Sequence, residues 1–244
     1  MLALASAVFG FLAPFLPELV KYFSRKLDQA HELAVLQLQA QAARDQHAWR
    51  MEEITATADI QAQTLRAPVA SFGDPNARVL IVGLAPGLQG ANRTGRPFTG
   101  DYAGDLLYST LLAFGFATGT YQARPDDGLT LVDCRISNAV RCVPPQNKPL
   151  PAEINTCRTF LAPTIATMPR LTSVIMLGRI AHESTVKALG LKGSAAPFGH
   201  GAVHQAGHLS LYDSYHCSRY NTNTGVLTTE MFRSVFARVR AELP

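Results

Sequence analysis

Residues 83–107 read GLAPGLQGANRTGRPFTGDYAGDLL and follow directly on the apolar run 78–82. Gly83 and Gly87 let the backbone turn sharply and approach a ligand without Cβ interference, with Ala85 and Pro86 between them. Arg93 and Arg96 offer guanidinium forks suited to phosphate, and Phe98 offers a flat ring on which a base can stack. A second signal lies far downstream, where HCSRYNTNTG (residues 216–225) follows the strand-like stretch 209–215. An apolar strand running into a Gly- and Pro-rich turn and a polar loop places reactive groups at the carboxyl end of a sheet. Phosphate-binding forks and a stacking ring in such a place suit a nucleotide-like ligand.

These stretches, with ISNAVRC (136–142), PPQNKP (144–149) and PFGHGAVH (197–204), resemble the uracil-DNA glycosylase superfamily. The likeness is greatest to its type-5 branch, and the iron–sulfur type-4 branch comes next. The resemblance runs from about residue 72 to the C-terminus. It implies hydrolysis of the bond between a damaged base, uracil above all, and deoxyribose in DNA. Such a site must extrude the nucleotide, hold the base, stabilise charge on its O2 and admit water to C1′.

The resemblance supplies a residue for each demand. Gly83, Ala85, Pro86 and Gly87 form the loop against the base, and Phe98 is the stacking aromatic. Asn138 reads the pyrimidine edge, its amide matching N3–H and O4, and His216 stabilises the leaving base. Type-4 relatives carry Glu at the water-activating position, which here is Leu84, an apolar residue as in the type-5 branch. Asp101 is then the candidate for orienting water, with Asp105 in reserve. The loop after His216 resembles the family's wedge, in which Arg219 and Tyr220 can enter the base stack while Asn221 bonds phosphate. Arg93 and Arg96 join these DNA contacts. Structural alternatives stand beside each role: Phe98 as core packing, Asn138 as a strand-ending side chain, His216 as a structural imidazole and Asp101 as a helix cap.

Type-4 and type-5 relatives also hold a [4Fe–4S] cluster on an early and a later cysteine pair. Cys142 and Cys157 match the later pair, but residues 1–133 contain no cysteine. A cluster normally takes four thiolates, so only two of the family's four ligands are present and an intact cluster is not expected. Cys134 and Cys217 are read as unpaired thiols. No spacing suggests a secreted disulfide framework, and a reducing cytoplasm, with the enzyme on the nucleoid, is the expected location.

The elements that must position these residues alternate. Strands are expected over 78–84, 130–140, 173–177 and 209–215, and helices over 102–114, 151–168, 181–189 and from about 228 to 242. That alternation predicts an α/β three-layer sandwich with a mostly parallel central sheet. Residues 69–244 form this domain and carry sixteen Lys/Arg against eleven Asp/Glu, a balance that suits a polyanion such as DNA containing uracil or other deaminated bases.

Residues 1–68 carry none of the motifs. Their first seventeen residues lack any charge, and no Gly or Pro occurs from 18 to 67. The expectation is a helical extension that self-associates or contacts a membrane or another protein. The leader is short for a membrane span and holds Pro14 and Pro17. Two other readings compete: a phosphate-binding α/β protein of different chemistry, and a catalytically weakened DNA-binding or scaffold protein assembled through the N-terminal helix. GLAPG lacks the Lys-Ser/Thr of a P-loop and the GxGxxG spacing, which weakens the first. Intact Phe98, Asn138 and His216 weaken the second.

Overall fold

The computed structural model describes residues 68–145 and 148–243. The expected helical extension lies outside the described residues apart from Pro68, as do Gln146 and Asn147 in the loop after Cys142.

Four parallel strands form the middle of a six-stranded sheet: β5 (Cys134–Asn138), β2 (Val79–Gly83), β6 (Ser173–Leu177) and β8 (Leu209–Ser214), in that order. Short antiparallel strands close the edges, β1 (Phe72–Gly73) beside β5 and β7 (Val203–Ala206) beside β8. A separate two-stranded sheet joins β3 (Ala117–Thr118) to β4 (Thr130–Leu131). Every residue of β2 and β6 is buried, which is why both read as unbroken apolar runs: a central parallel strand has no solvent face.

Strand alternation sends Val79 and Ile81 to one face and Leu80 and Val82 to the other. On the first face they pack with Leu107 and Leu111 of α2 (Tyr102–Ala113) and with Phe232, Phe236 and Val239 of α6 (Thr229–Glu242). On the second they meet Leu161 and Ile165 of α3 (Pro151–Ala166) and Ala181 of α4 (Arg179–Ala188). The three-layer α/β sandwich is therefore as expected. Two short helices, α1 (Ala91–Thr94) and α5 (Arg219–Asn223), lie within the functional loops.

Three details differ from the sequence reading. The stretch expected as one strand over 130–140 breaks at Asp133, whose φ of 52° is left-handed. Its carboxylate accepts the Arg78 N–H at 2.9 Å and pairs with the Arg78 guanidinium, so the chain leaves one sheet and enters another there. Strand β7 and the hairpin through Gly207–His208 were not foreseen; the two-residue loop led by Gly207, at φ 62°, was the signal. The loop after His216 contains a helical turn, capped by Ser218 accepting from the Asn221 N–H. Among the described residues no helix is long and apolar enough to cross a membrane.

Candidate functional site

The carboxyl ends of β2, β5, β6 and β8 deliver Gly83, Asn138, Gly178 and the segment leading to His216 to one edge of the sheet. The 83–101 loop crosses this edge and brings Phe98 to it. Phe98 is almost fully buried and adopts φ 54°, a conformation that a bulky residue holds only when its surroundings enforce it. Those surroundings are specific. Tyr108 Oη donates to the Pro97 carbonyl at 2.6 Å and Tyr121 Oη to the Phe98 carbonyl at 3.2 Å. The Phe98 carbonyl also lies where Gly104 of α2 would carry a Cβ, so only glycine admits this approach. Burial raises both tyrosine hydroxyls above their ordinary pKa, which keeps them protonated as donors.

The Phe98 ring and the Asn138 amide both press on Gly83, with no room for a side chain between them. Asn138 is buried, and its Oδ1 has no hydrogen-bond partner among the described residues. A buried acceptor left unmatched in a native site is costly, and this one sits against the Phe98 ring. Across from it, the Phe98 and His216 ring centroids are 6.0 Å apart with 27° between planes. The two rings thus lie near one another at the same edge of the sheet. Burial lowers the His216 pKa to about 4. That direction favours the neutral imidazole near pH 7.

Asp101 divides its two carboxylate oxygens between two neighbours. Its Oδ1 caps α2, accepting the Gly104 N–H at 3.3 Å. Its Oδ2 turns to the glycine loop, where an added Cβ at Gly90 would lie 2.5 Å away and one at Gly87 3.1 Å away. Burial raises its pKa, partly offset by backbone N–H groups of Gly104 and Ala103. Asp105, the reserve candidate, is exposed on α2. Leu84 is half-buried, and its carbonyl accepts the Val140 N–H at 2.9 Å. Ala85 and Gly87 keep partial exposure in the loop while Pro86 is buried.

The expected DNA contacts separate into two groups. Arg93, Arg219 and Tyr220 are exposed; the Arg219 guanidinium lies 5.2 Å from the Tyr102 ring centroid, and Tyr220 is 74% exposed. Arg96 is a correction. It is 4% exposed, forms a two-pronged pair with Asp127 at 2.8 and 2.7 Å, and donates from Nε to Thr99 Oγ1 at 2.7 Å. Phe72, Tyr108 and Tyr121 surround its guanidinium, so no fork is left for phosphate. Asn221 is part-exposed, and its Nδ2 donates to the His216 carbonyl at 2.8 Å. It braces the motif histidine from within. Sequence reasoning missed Gly104, Tyr108, Tyr121 and Asp127, which hold the Phe98 segment; only the small helical Gly104 carried a visible hint.

Cys142 and Cys157 are free and partly exposed, and the Cys142 thiol is raised by burial and by Cys157 nearby. Among the described residues no third His, Cys, Asp or Glu joins them in a metal-sized group. Cys134 and Cys217 are fully buried, with thiols pushed well above the usual range by desolvation. A [4Fe–4S] cluster needs thiolates, and neither buried thiol can supply one in place. The described residues do not fit the cluster that the resemblance implied.

Comparison with known proteins gives the family. The profile of the Uracil DNA glycosylase superfamily matches residues 70–240. The chain is similar to the type-5 uracil-DNA glycosylase of Thermus thermophilus, with 43% identity over 195 residues covering 79% of this chain and 89% of that protein. The type-5 enzyme of Pyrobaculum aerophilum is 41% identical over 176 residues, 72% of this chain and 76% of its own. A type-4 uracil-DNA glycosylase of the same organism is 33% identical over 124 residues, half of this chain and 55% of its own. The Thermus match covers a larger share of the chain than residues 69–244 contain, so similarity extends upstream of Val69. With its fold, its loop motifs and most of its sequence in agreement, the chain belongs to the uracil DNA glycosylase superfamily.

Proposed function

We propose that the protein is a monofunctional DNA glycosylase of base excision repair that hydrolyses the N-glycosidic bond of uracil in DNA. The observation that carries this reading is the unmatched, buried Oδ1 of Asn138 beside the Phe98 ring. The base stacks on Phe98, Asn138 Oδ1 accepts its N3–H, and the amide donates to O4. As the glycosidic bond stretches, negative charge grows on the base and positive charge on the sugar. The neutral His216 donates to the developing charge at O2. Asp101 orients water towards C1′ and offsets the charge on the sugar, and water adds there as uracil leaves and is protonated. No lysine occupies a motif position to form a Schiff base.

Tyr220 fills the gap in the duplex: it projects 74% exposed, whereas Arg219 lies over Tyr102 and Asn221 is tied inward. Arg93 and Arg219 contact phosphates. The apolar Leu84 leaves the pocket tolerant, and deaminated purines such as hypoxanthine join uracil as substrates. Residues 1–68 serve in self-association or in contact with a membrane or partner protein, on the basis of their uncharged leader and the Gly- and Pro-free stretch from 18 to 67.

The deciding experiment incubates purified protein with duplexes containing one uracil or one hypoxanthine and cleaves abasic sites with alkali. Strand breaks at uracil are expected. Intact uracil strands at enzyme excess would overturn the reading.

A further inference from the structure

Asp213 ends up with no solvent exposure, three residues before His216 on the end of β8. Its carboxylate accepts three hydrogen bonds. Oδ1 takes His182 Nδ1–H at 2.7 Å; Oδ2 takes His204 Nε2–H at 3.2 Å and the Gly199 N–H at 3.3 Å. The backbone of the same residue accepts the Gly201 N–H and donates to the Ala202 carbonyl, both at 2.9 Å. One residue thus ties β8 to α4, to β7 and to the turn before β7.

The protonation of His182 follows from its partners. Nδ1 faces a carboxylate oxygen and Nε2 faces the Ala196 carbonyl at 2.8 Å. Both are acceptors only, so both ring nitrogens must carry protons, and His182 is an imidazolium. Burial on its own would lower the His182 pKa, but the hydrogen bond and charge of Asp213 more than reverse this, and it is raised overall. The ligand atoms of His182, His204 and Asp213 lie within 4.8 Å of one another. In this arrangement the convergence is held together as an ion-pair latch.

The latch connects to the motif histidine through backbone. Helix α4 starts after Gly178, whose N–H donates to the Ser214 carbonyl at 2.8 Å. A Cβ on Gly178 would lie 3.2 Å from His216 Cβ. One turn on, the His182 N–H bonds the Gly178 carbonyl at 3.0 Å. On the other side, the Tyr215 N–H donates to His200 Nδ1 at 3.1 Å, within the turn that Asp213 holds. Ser214, Tyr215 and His216 therefore run between two elements that Asp213 pins. We infer that Asp213, through the His182 imidazolium and the 199–204 turn and strand, is a positioning residue that fixes His216 relative to Phe98. The inference rests on His216 acting upon the leaving base.

Asp213→Asn removes the charge of the latch: its NH2 group can meet His182 Nδ1 only if the imidazolium gives up that proton, and otherwise faces a donor and opens that arm. The test is a double-mutant cycle of Asp213→Asn and His216→Ala in the full chain, read by single-turnover excision of uracil from a defined duplex. DNA affinity and thermal midpoint are measured alongside. Asp213→Asn should slow excision about tenfold or more through misplacement, with affinity within about threefold. In the His216→Ala background it should change the rate by less than about twofold, because its effect passes through His216. Additive losses, or a parental rate for Asp213→Asn, would overturn the inference. A parental rate for His216→Ala would instead defeat the proposed function. If Asp213→Asn does not fold, His204→Ala on the edge strand enters the same cycle. Imidazole nitrogen NMR of the parent at pH 7 must also find His182 doubly protonated; a single proton there overturns the latch.

Discussion

Phe98 and Asn138 meet over the α-carbon of Gly83, so closely that a methyl group there would overlap both the ring and the amide oxygen. The two groups assigned to the face and edge of the base thus share one glycine as their floor. Gly83→Ala should displace both at once. Overpacking of this kind costs about 1–3 kcal/mol, while misplacing the base-binding groups should lower excision by about 10²-fold. Thermal unfolding and single-turnover rates measured together check this. A parental rate would mean that the base does not rest there.

Asp101 carries two duties on two oxygens, and substitutions can separate them. Asp101→Asn keeps an acceptor for the Gly104 N–H and loses the charge facing the glycine loop. It should retain stability and lose turnover. Asp101→Ala should lose turnover as well and forfeit about 1 kcal/mol of helix capping. DNA affinity should stay near the parental value in both. Equal turnover for Asp101→Asn and the parent would leave Asp101 as a cap only.

His216→Ala should slow uracil excision by roughly 10²–10³, the scale of one lost oxyanion-type donor. With its pKa lowered to about 4, His216 does not titrate between pH 6 and 8, and excision should show no inflection from it in that range. Stability behaves differently. Between the ordinary histidine value and about 4, the unfolded chain binds a proton at this position and the folded chain does not. The folded state therefore loses stability as pH falls through that window. His216→Asn should flatten that part of the stability–pH curve; an unchanged slope would refute the neutral assignment.

Arg96 and Arg219 should behave as opposites. Arg96→Ala leaves Asp127 buried without its partner and should cost about 3–5 kcal/mol, releasing the strained Phe98 segment. Arg219→Ala should barely alter stability, weaken DNA binding and reduce the dependence of log affinity on log salt by about one. Tyr220→Ala should slow excision from duplex more than from single-stranded DNA, since only duplex leaves a gap to fill. Urea titrations and salt-dependent binding distinguish these outcomes.

Counting thiolates leads to the last expectation. With Cys142 and Cys157 lacking further ligands among the described residues, the purified chain should hold substoichiometric iron and little absorbance in the brown iron–sulfur region. Cys142→Ser should leave the melting temperature of the α/β domain nearly unchanged. About four irons per chain after anaerobic preparation would show that other ligands complete the site.

Local pattern was enough to read much of this protein. The apolar runs of β2 and β6, the Gly–Pro turn after β2, Pro151 at the start of α3 and the motif order around Phe98, Asn138 and His216 are all contiguous features. They announce an α/β sandwich with its chemistry at the strand ends. What needed tertiary structure were the facts that depend on a distant partner. Arg96 looks the same in sequence whether it meets phosphate or Asp127, thirty-one residues away. That Asn221 also braces the His216 carbonyl shows only once the loop is folded. The break at Asp133 depends on Arg78, and the protonation of His182 depends on Asp213 and Ala196. Charge and hydrogen-bonding capacity belong to the residue type, but whether they face solvent, DNA or the interior is decided by which elements fold over them.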